Sequence, residues 1–370
     1  MNKNEQILFS LLWAGLNIKR EEFPAESSLF LSSTDWHTVF KLSAEQNVIA
    51  IAWNGLQKLH KAGVIADEQM PPRTGRLSWA LSAEQVDKIY RKQEGTIAKL
   101  AVVFAKHNIP LMVLKGYGLS LNYPQPNLRK CSDIDIWTMG NQEESDRVLH
   151  EELKIDIDDT KHHHTVFYVD GQMIENHFDF INIQAHLSNR EIERKLKQYA
   201  AKDYTTHQVN GTTILLPSAQ FNGTFILRHS AAHFAAERIN IRHLLDWLYF
   251  VKKDYQRIDW EELRELCREQ NMLRFFNVMN TICVDYLGMN PQWIPCFERE
   301  DELEERVLNE ILHPEFGEKA DPKSGFFERI TFKTRRWWHN RWKHRIVYKE
   351  GLFVTFVVQV FSHLYKPSSL

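Results

Sequence analysis

Two aspartates separated by one residue, Asp133 and Asp135, stand in an apolar stretch that follows the pair Lys115-Gly116 and then Arg129. In a strand, side chains two apart point the same way, so the carboxylates share one face while Ile134 and Ile136 fill the other. Ionised carboxylates that close repel each other, and a divalent cation between them relieves the repulsion. The stretch from Leu111 to Thr138 therefore reads as a metal–phosphate site. Gly116 and Gly118 let backbone N–H groups approach phosphate oxygens, and the short helix expected after them adds its N-terminal dipole. Lys115 or Arg129 would neutralise a leaving pyrophosphate, the arginine as a fork and the lysine as a point charge. In-line displacement at phosphorus needs charge neutralised on the attacking and leaving oxygens, which two hard cations held by carboxylates can do.

Elements must hold these groups in place. The apolar run Leu111 to Leu114 leads into the Lys-Gly turn, and a Pro-rich turn precedes the Asp-x-Asp strand. A helix is expected over about Gln142 to Leu153, acidic on its exposed side. A hairpin follows, with strands near 163–169 and 172–181 joined at Asp170-Gly171, a pair suited to a tight turn. On its second strand Glu175, His177 and Asp179 share one face and Ile174, Asn176 and Phe178 the other. "TTILLP" at 212–217 reads as the strand that closes the sheet.

Helical periodicity flanks this core. Leu8, Leu11, Leu12 and Leu16 recur at helical spacing, two short amphipathic helices follow from Trp36, and a long one runs from about Ser78 to His107 before Pro110. From Phe221 onward the pattern is again helical. The expected architecture is α+β: an N-terminal helical region (1–108), a small mixed-sheet core (109–217) and a C-terminal helical region with a basic aromatic tail (218–370). At 370 residues, 43% of them apolar, the chain can bury a large core. A formal charge of −2 gives no overall attraction to nucleic acid. Cys131, Cys267, Cys283 and Cys296 lie far apart, which fits reduced thiols without disulfide partners. The first helix lacks a small-residue cleavage site, so the chain reads as cytoplasmic.

Taken together, Leu114-Lys115-Gly116, Tyr123-Pro124, Arg129, Asp133-Ile-Asp135 and Glu175-Asn-His177 resemble the uncharacterised nucleotidyltransferase family of the DNA polymerase β-like superfamily. The later "LRHSAAHFAAERINIRHLLDWLYFVKK" is similar to that family's helical segment, so the resemblance spans roughly residues 36 to 255. It implies transfer of a nucleoside monophosphate from an NTP to an acceptor. In its terms Lys115 and Gly116 form the phosphate-holding turn, Asp133 and Asp135 bind two Mg²⁺, and Glu175 is the third carboxylate, with Asp179 in reserve. Gly118, Arg129 and His177 complete the nucleotide-binding set. The chain departs from the commonest superfamily turn, Gly-Ser or Gly-Gly, in having Lys115-Gly116-Tyr117. ATP is the default donor, because no residue visibly reads a base. The hydroxyl acceptor is left open among a sugar or small metabolite, a protein side chain and an RNA end.

Competing readings attach to the same residues. The fold without turnover would be a nucleotide-binding or antitoxin-like module, against which the three carboxylates argue. Of His162, His163 and His164, strand alternation allows only His162 and His164 to share an ion, and His164 is expected beside the nucleotide. His177 either orients Glu175 by a hydrogen bond or is a satisfied structural histidine. His229, His233 and Glu237 share one helical face, and Arg242 and Asp246 are expected to pair between helices. The segment 332–349 interleaves four arginines, three lysines and three tryptophans. It suits RNA stacking, an anionic membrane surface, or packing over the acidic helix near Glu300 to Glu310. The apolar run that follows, 351–365, is too short for a membrane span.

Overall fold

The computed structural model describes residues 1–18, 29–30, 34–316, 325–355 and 357–358. Its helices are α1 (Lys3–Leu16), α2 (Trp36–Glu45), α3 (Ile49–Lys61), α4 (Arg73–Lys106), α5 (Lys115–Ser120), α6 (Gln142–Leu153) and α7 (Ser188–Lys202). They continue as α8 (Ala219–Ala236), α9 (Ile241–Asp254), α10 (Trp260–Glu269), α11 (Leu273–Leu287), α12 (Asp301–Leu312), α13 (Phe326–His339) and α14 (Arg341–His344). The strands are β1 (Met112–Val113), β2 (Asp133–Trp137), β3 (His164–Val169), β4 (Gln172–His177), β5 (Tyr204–Val209) and β6 (Thr212–Pro217). They form one mixed sheet in the order β3-β4-β2-β1-β6-β5. The fold is α+β.

Asp170 and Gly171 both take positive φ, 51° and 72°, and turn β3 into the antiparallel β4 as the Asp-Gly pair predicts. Residues 182–211, unassigned from sequence, supply α7 and the edge strand β5. So β6 does not close the sheet: it lies between β1, to which it is parallel, and β5, to which it is antiparallel.

Alternation along β2 decides where the chemistry goes. Ile134 and Ile136, with Ile174 of β4, are fully buried in an apolar layer with Ile97, Leu100 and Phe104 of α4 and Val148 and Leu149 of α6. Asn176 points to the same side and donates to Ser145 and Asp146 of α6. The opposite face, with Asp133, Asp135 and Trp137, meets the C-terminal helices, where Trp137 packs on Phe180, and Phe180 on Phe221 and Phe225 of α8. Polar groups on this face are thus roofed by helices rather than bathed in solvent.

The two helical regions share a core. Trp13 donates from Nε1 to the Tyr286 carbonyl of α11 at 2.8 Å, and Gln46 to the Ile311 carbonyl of α12 at 2.9 Å. The basic aromatic segment packs over the acidic helix: Lys343, fully buried, meets Glu310 of α12 at 2.6 Å, and the Arg306 guanidinium lies 3.7 Å from the Trp342 ring centre. Trp338 remains 60% exposed. The apolar run 351–365 lies partly outside the described residues, and no described helix is long and apolar enough to cross a membrane.

Candidate active site

Strand β2 runs parallel to β4 with Asp135 opposite Glu175 and Trp137 opposite His177, so these side chains rise from the same face. One oxygen, Asp135 Oδ1, accepts both from Lys115 Nζ at 3.0 Å and from His177 Nε2 at 3.0 Å. His177 Nε2 also lies 3.6 Å from Glu175 Oε2, and its Nδ1 donates to the Asp179 carbonyl at 3.1 Å. The carbonyl fixes the ring with Nε2 aimed at the carboxylates.

The other oxygen, Asp135 Oδ2, is buried and has no hydrogen-bond partner. A buried carboxylate oxygen left so is costly unless a cation or donor reaches it. Gly116 keeps that space open. Its φ of 39° is a left-handed conformation, and a Cβ there would stand 3.0 Å from Cys131 Sγ and 3.6 Å from Asp135 Oδ2. Asp135, Glu175 and His177 each offer one ligand atom within 4.8 Å of the others. The donor set and the unpartnered oxygen fit a divalent cation.

Electrostatics within the cluster are tightly balanced. Burial works against the His177 imidazolium, but hydrogen bonds to Asp135 and Glu175 outweigh it and raise its pKa to about 9. Burial likewise disfavours the Glu175 carboxylate, yet the His177 hydrogen bond and the Lys115 charge bring it down to about 2. The Lys115 ammonium is also penalised by burial and rescued by Asp135, Glu175 and Asp133, leaving its pKa raised.

The remaining residues singled out from sequence are placed as follows. Asp133 stands at the entrance of β2, half-buried, accepts from Ser132 Oγ at 3.3 Å, and belongs to neither group of side chains close enough to share an ion among the described residues. Asp179 lies beyond the end of β4 and pairs with Lys197 of α7. Gly118 spends its N–H on the Leu114 carbonyl at 3.2 Å, and a Cβ there would meet the Val113 carbonyl at 3.2 Å, so this glycine seats α5 against β1. Arg129, 3% exposed, donates from Nε and Nη2 to the two oxygens of Asp246 at 2.7 and 2.8 Å. Only its Nη1 is without a partner. Arg242 pairs with Asp246 one turn along the same helix rather than between helices, at 3.1 Å.

The histidine run departs from the alternation expected of it. Strand β3 begins at His164, so His163 precedes the region where neighbours must point apart. His163 and His164, not His162 and His164, gather with His177. From above the sheet, Phe225 of α8 lies 5.9 Å from Lys115 Nζ, and His229 is held neutral by burial and by the nearby Lys115 charge. His233 stands 4.5 Å from His229, while His243 is spent in the N-terminal cap of α9 with Asn240. Sequence reasoning missed Cys131 and Phe225 as neighbours of the site, since neither follows from local pattern.

The sequence matches the model of a family described as uncharacterised nucleotidyltransferase over residues 32–288. The chain belongs to that family. No curated protein matches it. Among solved structures, it is similar to an antigenic nucleotidyltransferase-like protein from Paracoccidioides brasiliensis at 14% identity and a TM-score of 0.35, over 56% of this chain and 94% of the other. By family this nucleotidyltransferase acts on a nucleotide.

Proposed function

We propose that the protein moves a nucleoside monophosphate from an NTP, ATP by default, to a hydroxyl acceptor at the face of β2 and β4. Asp135, Glu175 and Asp133 would hold divalent cations there, with Mg²⁺ the default. The observation that carries the reading is the buried, unpartnered Asp135 Oδ2 beside the side-chain-free Gly116. Divalent ions, when bound, neutralise charge on the attacking and leaving oxygens of in-line displacement.

The chain's own groups divide the rest. Asp135 presents Oδ2, and Glu175, ionised down to about pH 2, acts as a ligand because so weak a base takes few protons near neutrality. Asp133, more open at the strand entrance, is assigned to a second ion. Lys115 pairs with Asp135 Oδ1 at 3.0 Å, and its ammonium is assigned to the phosphates of a bound nucleotide. Arg129 retains only Nη1 for a phosphate oxygen. His177 braces Asp135 and Glu175 through Nε2, at 3.0 and 3.6 Å.

Incubation with each α-labelled NTP and Mg²⁺ tests the reading. Label should pass to an acceptor, or to the protein itself, in the wild type. Asp135→Asn and Glu175→Gln should each lower the rate by at least about 10²-fold, the size lost with one preorganised electrostatic partner. Labelling that survives both substitutions would exclude this face as the centre.

A further inference from the structure

Beside the carboxylates, His163 and His164 join His177 in a second donor set, of which nucleotidyl transfer uses only His177. The His163 carbonyl accepts from both Phe178 and Asp179 N–H groups at 3.1 Å each. Two residues of one chain thus oppose one of the other just past the end of β4, the local pattern of a bulge, and bulges re-aim side chains. His163 is brought to the same side as His164. The ring centres lie 4.3 Å (163–164), 5.1 Å (164–177) and 5.7 Å (163–177) apart, and one nitrogen of each lies within 4.8 Å of the others.

Two of these rings carry unmet polar atoms. Nδ1 of His163 and Nδ1 of His164 are buried without a hydrogen-bond partner, although His164 is 93% buried. A buried polar group left without a partner is destabilising, so two together call for a ligand. The Asp179 carbonyl holds Nδ1 of His177, so Nε2, which donates to Asp135 Oδ1 at 3.0 Å, is the nitrogen that would ligate once it gives up its proton. Glu175 Oε1, 3.8 Å from His164 Nε2, completes the surroundings with an oxygen. His163 is only half-buried, which leaves an entry path.

We propose that His163, His164 and His177 form a nitrogen-donor site for a borderline divalent metal of the Zn²⁺ or Co²⁺ class, adjoining the carboxylate site, with which it shares His177 and the bordering Glu175. Imidazole donors select such ions over Mg²⁺, which prefers oxygen and keeps its water. The site does not rest on nucleotidyl transfer and stands if that reading fails.

Titration of the metal-free full chain with Co²⁺ tests it through visible absorption. In a large excess of Mg²⁺, which fills the carboxylate site, the wild type should take up one equivalent of Co²⁺ with the intense d–d bands of a low-coordinate nitrogen site. His163→Asn and His164→Asn should each weaken uptake by at least about tenfold. Asp133→Asn, which the transfer reading requires to impair turnover, should leave the spectrum intact. Because a histidine variant can fail by misfolding, Zn²⁺ titration of wild-type protein labelled with ¹⁵N-histidine provides a second reading. Three ring signals should shift together in a saturable step. A weak aqua-type Co²⁺ spectrum, or ring signals unmoved by Zn²⁺, would overturn the proposal.

Discussion

Two buried aspartates, Asp246 and Asp135, are each surrounded by cations, yet they are built to opposite ends. Asp246 Oδ1 accepts from the Tyr123 hydroxyl and Arg129 Nε, and Oδ2 from Arg129 Nη2 and Arg242 Nη1, so both oxygens are filled. Asp135 has Lys115 and His177 on one oxygen and nothing on the other. A saturated carboxylate joins elements: here it ties the loop before β2 to helix α9. An unsaturated one stores capacity for a ligand. Burial and opposite charge alone would have marked both as equal candidates; the count of lone pairs in use separates them.

The contrast is sharpest in stability. Asp246→Ala strands Arg129 and Arg242 in a buried setting and should cost about 3–5 kcal/mol, measured by urea unfolding. Asp135→Asn should cost clearly less, because His177 can shed its proton and Lys115 is 18% exposed. Equal losses would erase the distinction.

Titration offers the next test. His177 has a folded-state pKa near 9 against 6.5 unfolded, so its contribution is fully present below about pH 6.5 and is lost as pH rises through about 9. Metal-free wild type should lose on the order of 3 kcal/mol across that window, following ~1.36 kcal/mol per pKa unit. His177→Gln should lack this loss, whereas a decline of the same size in the variant would assign it elsewhere.

A smaller effect should come from the turn. Gly116→Ala places a Cβ against Cys131 Sγ in a backbone conformation that L residues avoid, at a cost of ~1–3 kcal/mol, and should weaken Mn²⁺ binding by crowding Asp135 Oδ2. Gly118→Ala, whose φ is not positive, should cost less and leave Mn²⁺ affinity unchanged, because its neighbours are the Val113 carbonyl and Leu216. Reversed ranking by thermal melts and Mn²⁺ titration would mean that Gly118 guards the site instead.

Much of this centre is written in local pattern. Period-two alternation puts Asp133 and Asp135 on one face and the isoleucines on the other, and Asp170-Gly171 turns the hairpin so that Glu175 and His177 rise beside them. What local pattern lacks is register between distant segments. Arg129 and Asp246 are 117 residues apart, so the sequence shows an arginine near the aspartates but not the carboxylate that claims it. Alternation also misleads at a strand's first residue: His163 lies outside β3 and opposite a bulge, where the two-residue period no longer applies. Strand β5, half-exposed at the sheet edge with Thr205, Thr206 and His207 in its middle, has no apolar period to read. Helix α6, by contrast, keeps the bounds Gln142–Leu153 that its sequence suggests, closed by Lys154 at a φ of 54°.

The most direct measurement is an anomalous difference map from crystals soaked with Mn²⁺ and a nonhydrolysable ATP analogue. The account predicts a peak bonded to Asp135 Oδ2 and Glu175, with the Lys115 ammonium moved from Asp135 to the phosphates. Nucleotide bound elsewhere, or a Lys115–Asp135 pair intact with no metal beside Oδ2, would contradict it.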